Sequence, residues 1–192
     1  MIKLALIGDG GHCSSYLDMI EKIKGHKVCY ILTNSKKKKI YGINCLPDSN
    51  KSYEFLKKKK INNIVIAIGQ IRDYNIRKKI YDKLRNYKFN IPTLLSKNSI
   101  ISSTLKIGIG SVIMQNTFIN YGVRIGYNTI INNSCNIEHG VVIGDNCHIS
   151  TGVIINGDCQ IGNNCFIGSG TIIKQGIKIK NNSFIKMGSI IK

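Results

Sequence analysis

The chain has 192 residues, 43% of them hydrophobic, with a formal net charge of +18 and seven cysteines. These figures suit one or two small globular domains and exclude a chain that inserts in a membrane, because no apolar run approaches the ~20 residues a bilayer needs. An odd cysteine count without a CxxC pair argues against a disulfide framework and for reduced packing cysteines.

The first element is an apolar strand over 2–7, too short for a signal peptide, so a cytoplasmic protein is expected. Gly8-Asp9-Gly10-Gly11-His12 follows, then a helical stretch over 13–24 and a second strand over 28–32. Residues 52–60 read as a helix, 64–68 as a buried strand ending at Gly69, and 72–88 as a helix. In that last helix Ile76, Ile80 and Leu84 recur on one face. Strand and helix alternate, which predicts a Rossmann-like parallel sheet. Glycines between the first strand and helix let a phosphate or sugar approach the helix N-terminus. As a dinucleotide fingerprint the loop fails: Cys13 stands at the third glycine, and the second strand ends in Thr33-Asn34 without an acid. A mononucleotide or nucleotide sugar fits better than NAD. The lysine runs 36–39 and 57–60 lack interleaved aromatics and read as solvated faces, so no nucleic-acid partner is expected. Ile91-Pro92-Thr93 closes this domain, taken as residues 1–93.

From Leu95 onward every sixth residue is a branched aliphatic: seventeen in succession, ending at Ile185 and Ile191. Four places after most of them stands a small or β-branched residue, among them Thr129, Cys135, Cys147, Cys159 and Cys165. Directly after the isoleucine comes Gly in Ile125-Gly126, Ile143-Gly144, Ile161-Gly162 and Ile167-Gly168. A period of six matches neither a helix nor an alternating strand. It matches a triangular solenoid, eighteen residues to a coil, with the isoleucine and the small residue inward. The glycines after the isoleucines are expected to take left-handed turn conformations. Residues 94–192 are therefore predicted to form an all-β, left-handed parallel β-helix.

Gly8-Asp9-Gly10-Gly11-His12, Ala67-Ile68-Gly69 and the hexads containing Ile137-Glu138-His139 together resemble the bacterial sugar O/N-acyltransferases. That family includes nucleotide-amino-sugar N-acetyltransferases and sialic acid O-acetyltransferases; Ile76-Arg77-Lys78-Lys79-Ile80-Tyr81 is similar to the bacillosamine-pathway type. The resemblance implies acetyl-CoA as co-substrate, a nucleotide-linked (UDP) 4-amino sugar as acceptor, no metal, and a homotrimer with its active sites between neighbouring β-helices. It implies a general base at His139. It places Gly10, Gly11, His12, Thr33, Asn34, Gly69 and Asn132 toward the sugar nucleotide, and His148, Gly157 and Ser169 toward the cofactor. Three departures stand out. Some relatives carry an acid directly after the catalytic histidine, where this chain has Gly140, so either Glu138 orients His139 or nothing does. Thr33-Asn34 replaces a nucleotide-holding acid. No Gly-x-Pro-Ala tail is present before Lys192, which puts more of the cofactor's hold on the coils.

The chemistry is direct transfer, with an imidazole taking the amine's proton and backbone N–H groups stabilising the oxyanion. Transfer to a sugar hydroxyl is the nearest alternative. A zinc carbonic anhydrase needs three histidine ligands, and the solenoid offers only His139 and His148. A non-catalytic β-helix leaves the N-terminal domain unexplained.

Overall fold

A computed structural model describes residues 1–71 and 73–192; Arg72, the expected start of the last helix, lies outside them. The chain divides into two units, Met1–Gly69 with Lys79–Pro92, and Gln70–Lys78 with Thr93–Lys192. None of the described helices is long and apolar enough to cross a membrane.

In the first unit β1 (Ile2–Ile7), α1 (Gly11–Glu21) and β2 (His26–Leu32) are followed by a short pair, β3 (Lys39–Ile40) and β4 (Ile43–Leu46). Then come α2 (Asn50–Lys58), β5 (Asn63–Ile66) and α3 (Asn75–Asn86). The sheet order is β3-β4-β2-β1-β5, parallel except for the β3–β4 pair. The sequence reading lacked that pair, because two to four residues carry no measurable alternation. Burial explains the strands. Leu4, Ala5, Leu6 and Ile7 on β1 and Ile64, Val65 and Ile66 on β5 are all essentially inaccessible, as an interior parallel sheet requires. Helix α2 starts at a Ser49 cap, whose hydroxyl accepts from Ser52 N. The apolar stripe of α3 is shifted from the expected one. Ile76 is 56% exposed, whereas Arg77, Tyr81 and Leu84 are buried.

The second unit is a left-handed parallel β-helix. Seventeen two-residue strands, β6 (Leu94–Leu95) to β22 (Ile190–Ile191), lie in three parallel sheets with an eighteen-residue register, as in Phe118↔Asn136↔Ile154. Ile113 through Ile173 fill the axis, and Val123, Cys135, Val141, Cys147, Val153, Cys159 and Cys165 fill the remaining space. At the ends the pattern thins. Leu95 is 39% exposed, with Leu94 buried in its place, and Ile179, Ile185 and Ile191 are only half-buried. Terminal coils have a neighbour on one side only.

The small inward residues have a second task. Ser111, Thr129, Cys147 and Cys165 stack in one column and donate to the carbonyls of Gly126, Gly144, Gly162 and Lys180 at 2.7, 2.9, 3.0 and 3.1 Å. A hydroxyl and a thiol therefore serve alike, as small donors to the next coil.

The turn glycines correct the sequence reading. From Ile107 onward left-handed backbone falls on the third residue after the isoleucine, at Gly110, Asn116, Gly122, Asn128, Ser134, Gly140, Asn146 and on through Gly188. The glycines directly after the isoleucine are small for another reason. A Cβ on Gly126 would stand 2.7 Å from both Asp145 N and Gly144 C, and one on Gly144 2.9 Å from Asn163 N. Successive coils approach too closely there for any side chain.

Candidate active site

In the first unit the sheet order reverses between β1 and β5, and at such a switch point the strand ends leave a crevice. The glycine loop occupies it. Gly8 has φ +117°, and a Cβ there would come within 2.8 Å of Ala67 O, so only glycine leaves β1 this close to the end of β5. Gly10 and Gly11 are exposed at the start of α1. Gly69 lies so close to the His12 imidazole that any Cβ would overlap the ring, and Tyr16 meets that ring edge-on at 5.8 Å. Gly10, Gly11, His12 and Gly69 are thus gathered on one loop cluster.

Thr33, at the end of β2, is buried, and its hydroxyl accepts from Ser35 N at 3.0 Å while Asn34 projects outward. Hydrogen bonds from Ser35 and Thr33 hold the Asp9 carboxyl below the usual aspartate value. Lys37 Nζ lies 3.9 Å from that carboxylate. Thr33 to Lys38, with Cys45, Leu46 and Pro47, line an open cleft of about 300 Å³. The first lysine run, expected as a solvated face, therefore borders this loop cluster; its neighbour Ser35 was not singled out.

In the second unit His139 follows Glu138 off the end of the strand Asn136–Ile137 and stands on the outside of the coil, its side chain 54% exposed. Its ring covers Gly157 of the next coil. A Cβ on Gly157 would lie 2.5 Å from His139 Cε1 and 2.6 Å from Nε2, so glycine is required beneath the imidazole. No acceptor among the described residues takes the Gly157 N–H. Beside the ring, therefore, the backbone offers an uncommitted donor.

Glu138 is engaged elsewhere. Its Oε2 accepts from Asn120 Nδ2 at 2.7 Å and its Oε1 from Asn136 Nδ2 at 3.3 Å, so the expectation that it orients His139 is corrected. The carboxylate in ion-pair range of the ring belongs to Asp158, whose Oδ1 is 3.9 Å from Nδ1. Asp158 was missed, although eighteen residues after Gly140 it is the side chain stacked above it.

His148 differs from the expected surface contact. It is 4% exposed, its Nδ1 bonded to the Gln70 carbonyl oxygen and its ring edge-on to Phe166 at 5.4 Å. Gln70 also donates to Asn146 O at 2.8 Å, and Arg77 to Asn128 O and Gly110 O, both at 3.4 Å. Gln70 and Arg77 thereby cap the carbonyls of a column of left-handed turns. A cofactor contact from His148 requires that cover to shift. Asn132 turns its carbonyl back on its own loop, accepting from Asn133 N at 2.8 Å. Ser169 is bonded to Ser150, Oγ to Oγ, at 2.8 Å. His139 and Gly157 are thus brought together, and Asn132, His148 and Ser169 are each held by other partners.

Cys135 and Cys13 supply no nucleophile here. Burial pushes the Cys135 thiol up to about 12 and Cys13 to about 11, so both stay protonated near neutral pH. Among the described residues no three His, Cys, Asp or Glu side chains lie together as a metal site.

Comparison with known proteins follows the same division. Residues 3–84 match the family model of the PglD N-terminal domain. Residues 122–156 match the hexapeptide repeat of succinyl-transferase, and residues 158–192 the bacterial transferase hexapeptide of six repeats. No curated protein matches the chain in sequence. Among solved structures, PerB from Caulobacter crescentus in complex with CoA and GDP-perosamine is 22% identical with a TM-score of 0.90, covering 99% of this chain and 88% of that one. The acetyltransferase domain of PglB from Neisseria gonorrhoeae is 22% identical with a TM-score of 0.91, covering 100% and 92%; the same domain has been solved with acetyl coenzyme A. WeeI from Acinetobacter baumannii is more distant, at 16% identity and a TM-score of 0.65, with 100% and 92% covered. At these identities the structures speak for the fold. The chain thus joins a segment that matches the PglD N-terminal domain to a solenoid that matches bacterial transferase hexapeptide repeats.

Proposed function

We propose that this chain moves an acetyl group from acetyl-CoA to the amino group of a nucleotide-linked amino sugar, with His139 as general base. The observation that carries the reading is the exposed His139 imidazole lying over Gly157, whose N–H has no acceptor among the described residues. An amine attacking a thioester must lose a proton, and the carbonyl oxygen gains negative charge as the C–N bond forms. An imidazole nitrogen open to solvent takes the proton; a backbone N–H beside it is placed to hold the oxyanion. Collapse of the tetrahedral intermediate breaks the C–S bond, and the CoA thiolate recovers the proton from the imidazolium. No acyl-enzyme is needed, because both substrates meet in one site.

The choice of substrates draws support from the neighbours of like fold: PerB is bound to CoA and GDP-perosamine, and the PglB domain to acetyl coenzyme A. The glycine loop, His12 and the Thr33–Lys38 cleft would receive the sugar nucleotide, which we take to be a UDP-linked 4-amino-dideoxy sugar, made where acetyl-CoA and nucleotide sugars both occur, in the cytoplasm. A homotrimer accounts for an apolar outer stripe on one sheet of the solenoid. There Ile100 is 71%, Phe118 36%, Ile172 39% and Ile190 65% exposed, in a column that Asn136 alone interrupts with a polar side chain, and exposed apolar surface of this kind marks contact sites.

The test is acetyl-CoA turnover with a panel of UDP-, GDP- and CMP-linked sugars bearing an amine or a hydroxyl at the acceptor carbon. Turnover confined to amino sugars is expected, with the UDP-linked 4-amino sugar best. Turnover with hydroxyl acceptors alone would overturn N-acetylation, and a GDP preference would overturn the choice of carrier.

A further inference from the structure

Resting on the acetyl-transfer reading for its kinetic consequence, we infer that Asp158 is the positioning residue for His139, fixing the ring proton on Nδ1 and leaving the Nε2 lone pair for the substrate amine.

Four observations converge. The first is where the aspartate stands. The left-handed turn residues of this edge form a column of Gly122, Gly140, Asp158 and Gly176, with Asp158 at φ +59°. Three of the four are glycine, the residue for which that conformation is free, so the aspartate accepts a backbone cost that glycine avoids. The second is what the carboxylate does. Side chains at other turns bond the neighbouring coil: Asp145 accepts from Tyr127 N at 2.9 Å, and Asn128 donates to Asn146 Oδ1 at 2.8 Å. The Asp158 carboxylate takes no hydrogen bond from the described residues; its recorded side-chain partner is His139 Nδ1, at 3.9 Å.

The third is the space it occupies. A Cβ on Gly140 would overlap Asp158 Oδ1 and lie 3.4 Å from its Cγ. The residue after the histidine is therefore bare where the carboxylate of the next coil comes down, and the two positions interlock. The fourth is the backbone. Asp158 N donates to His139 O at 2.9 Å, holding the two residues in register. The acid at hand in the sequence, Glu138, is already bonded to Asn120 and Asn136. A carboxylate facing Nδ1 selects the tautomer that leaves Nε2 as acceptor, and then stabilises the imidazolium formed as the amine loses its proton. The 3.9 Å separation closes by small side-chain rotations, as catalytic hydrogen bonds often tighten only with substrate bound.

The experiment uses the full-length protein labelled with ¹⁵N-histidine. With four histidines in the chain, the His139 ring is assigned by its loss in His139→Gln. In the wild type the neutral ring is expected to carry its proton on Nδ1, and in Asp158→Gly on Nε2. Because the rest of that column is glycine, Asp158→Gly should fold, and its melting curve checks this. The same variant should lose about tenfold in kcat with KM for acetyl-CoA unchanged, and Gly140→Asp placed in the Asp158→Gly background should restore much of the loss by supplying the carboxylate from below. A wild-type ring protonated on Nε2, or a tautomer indifferent to Asp158→Gly, overturns the inference. So does a rate loss that Gly140→Asp leaves unrescued. If no acceptor is acetylated at all, the function falls, and the ring spectra still decide whether Asp158 holds His139.

Discussion

The two units place their side chains by different rules. In the solenoid a residue's neighbour is the one eighteen places away. Gly157 lies against His139, Asp158 against Gly140, and Ser111, Thr129 and Cys147 repeat one donor from coil to coil. In the α/β unit the grouped residues come from separate strand ends: Gly10, Gly11 and His12 after β1, Thr33 and Asn34 after β2, Gly69 after β5. The first arrangement is read by counting, the second only by knowing strand order. Tolerance to change should divide accordingly: a solenoid substitution is felt by whole coils, and a change in the glycine loop by one ligand.

The largest effect expected is on the solenoid axis. Ile149→Ala, at a fully buried position, should cost about 2–5 kcal/mol by denaturant unfolding, and Ile191→Ala in the half-buried last coil under about 1. Equal costs would break the picture of a core sealed by coils on both sides. Next is His139→Ala, for which kcat should fall by about 10² or more, roughly 2.7 kcal/mol of transition-state stabilisation. An unchanged rate would remove His139 from the mechanism.

Gly144→Ala comes third. With the Asn163 backbone 2.9 Å from the new Cβ, it should destabilise by about 1–3 kcal/mol. Gly170→Asn, at φ +68° with open space around it, should stay within about 0.5 kcal/mol, and the pair separates close approach from left-handed conformation. In the other unit, His12→Ala is expected to raise KM for the nucleotide sugar about tenfold, roughly 1.4 kcal/mol, with KM for acetyl-CoA unmoved. A loss shared by both substrates would show that the loop does not serve one ligand alone. Smallest is Cys147→Ser. Ser111 and Thr129 already make the same bond in that column, so melting should report a change within about 1 kcal/mol.

Much of this was legible in the amino-acid order itself. Seventeen aliphatics at intervals of six admit hardly any other solution than a triangular coil, and the small residue four places on marks the second inward position. Periodicity is a local signal repeated many times, so single exceptions do not blur it. The glycine loop and His139 were also readable, as motifs. What periodicity of type alone did not carry was the reason for each small residue. Gly126 and Gly144 are glycine because a neighbouring coil passes within van der Waals reach, a fact about residues eighteen places away. The partner of His139 likewise came from the coil above, at Asp158, and not from Glu138 beside it in sequence. Arg77 and Gln70 were hidden for the same reason. A polar residue in a helical or connecting segment reads as exposed until the tertiary structure brings turn carbonyls to it. Short-range pattern determined the architecture, and which polar groups are spent inside it and which remain for chemistry was decided only where distant segments meet, because a hydrogen bond or a steric overlap depends on ångströms between residues that no local rule relates.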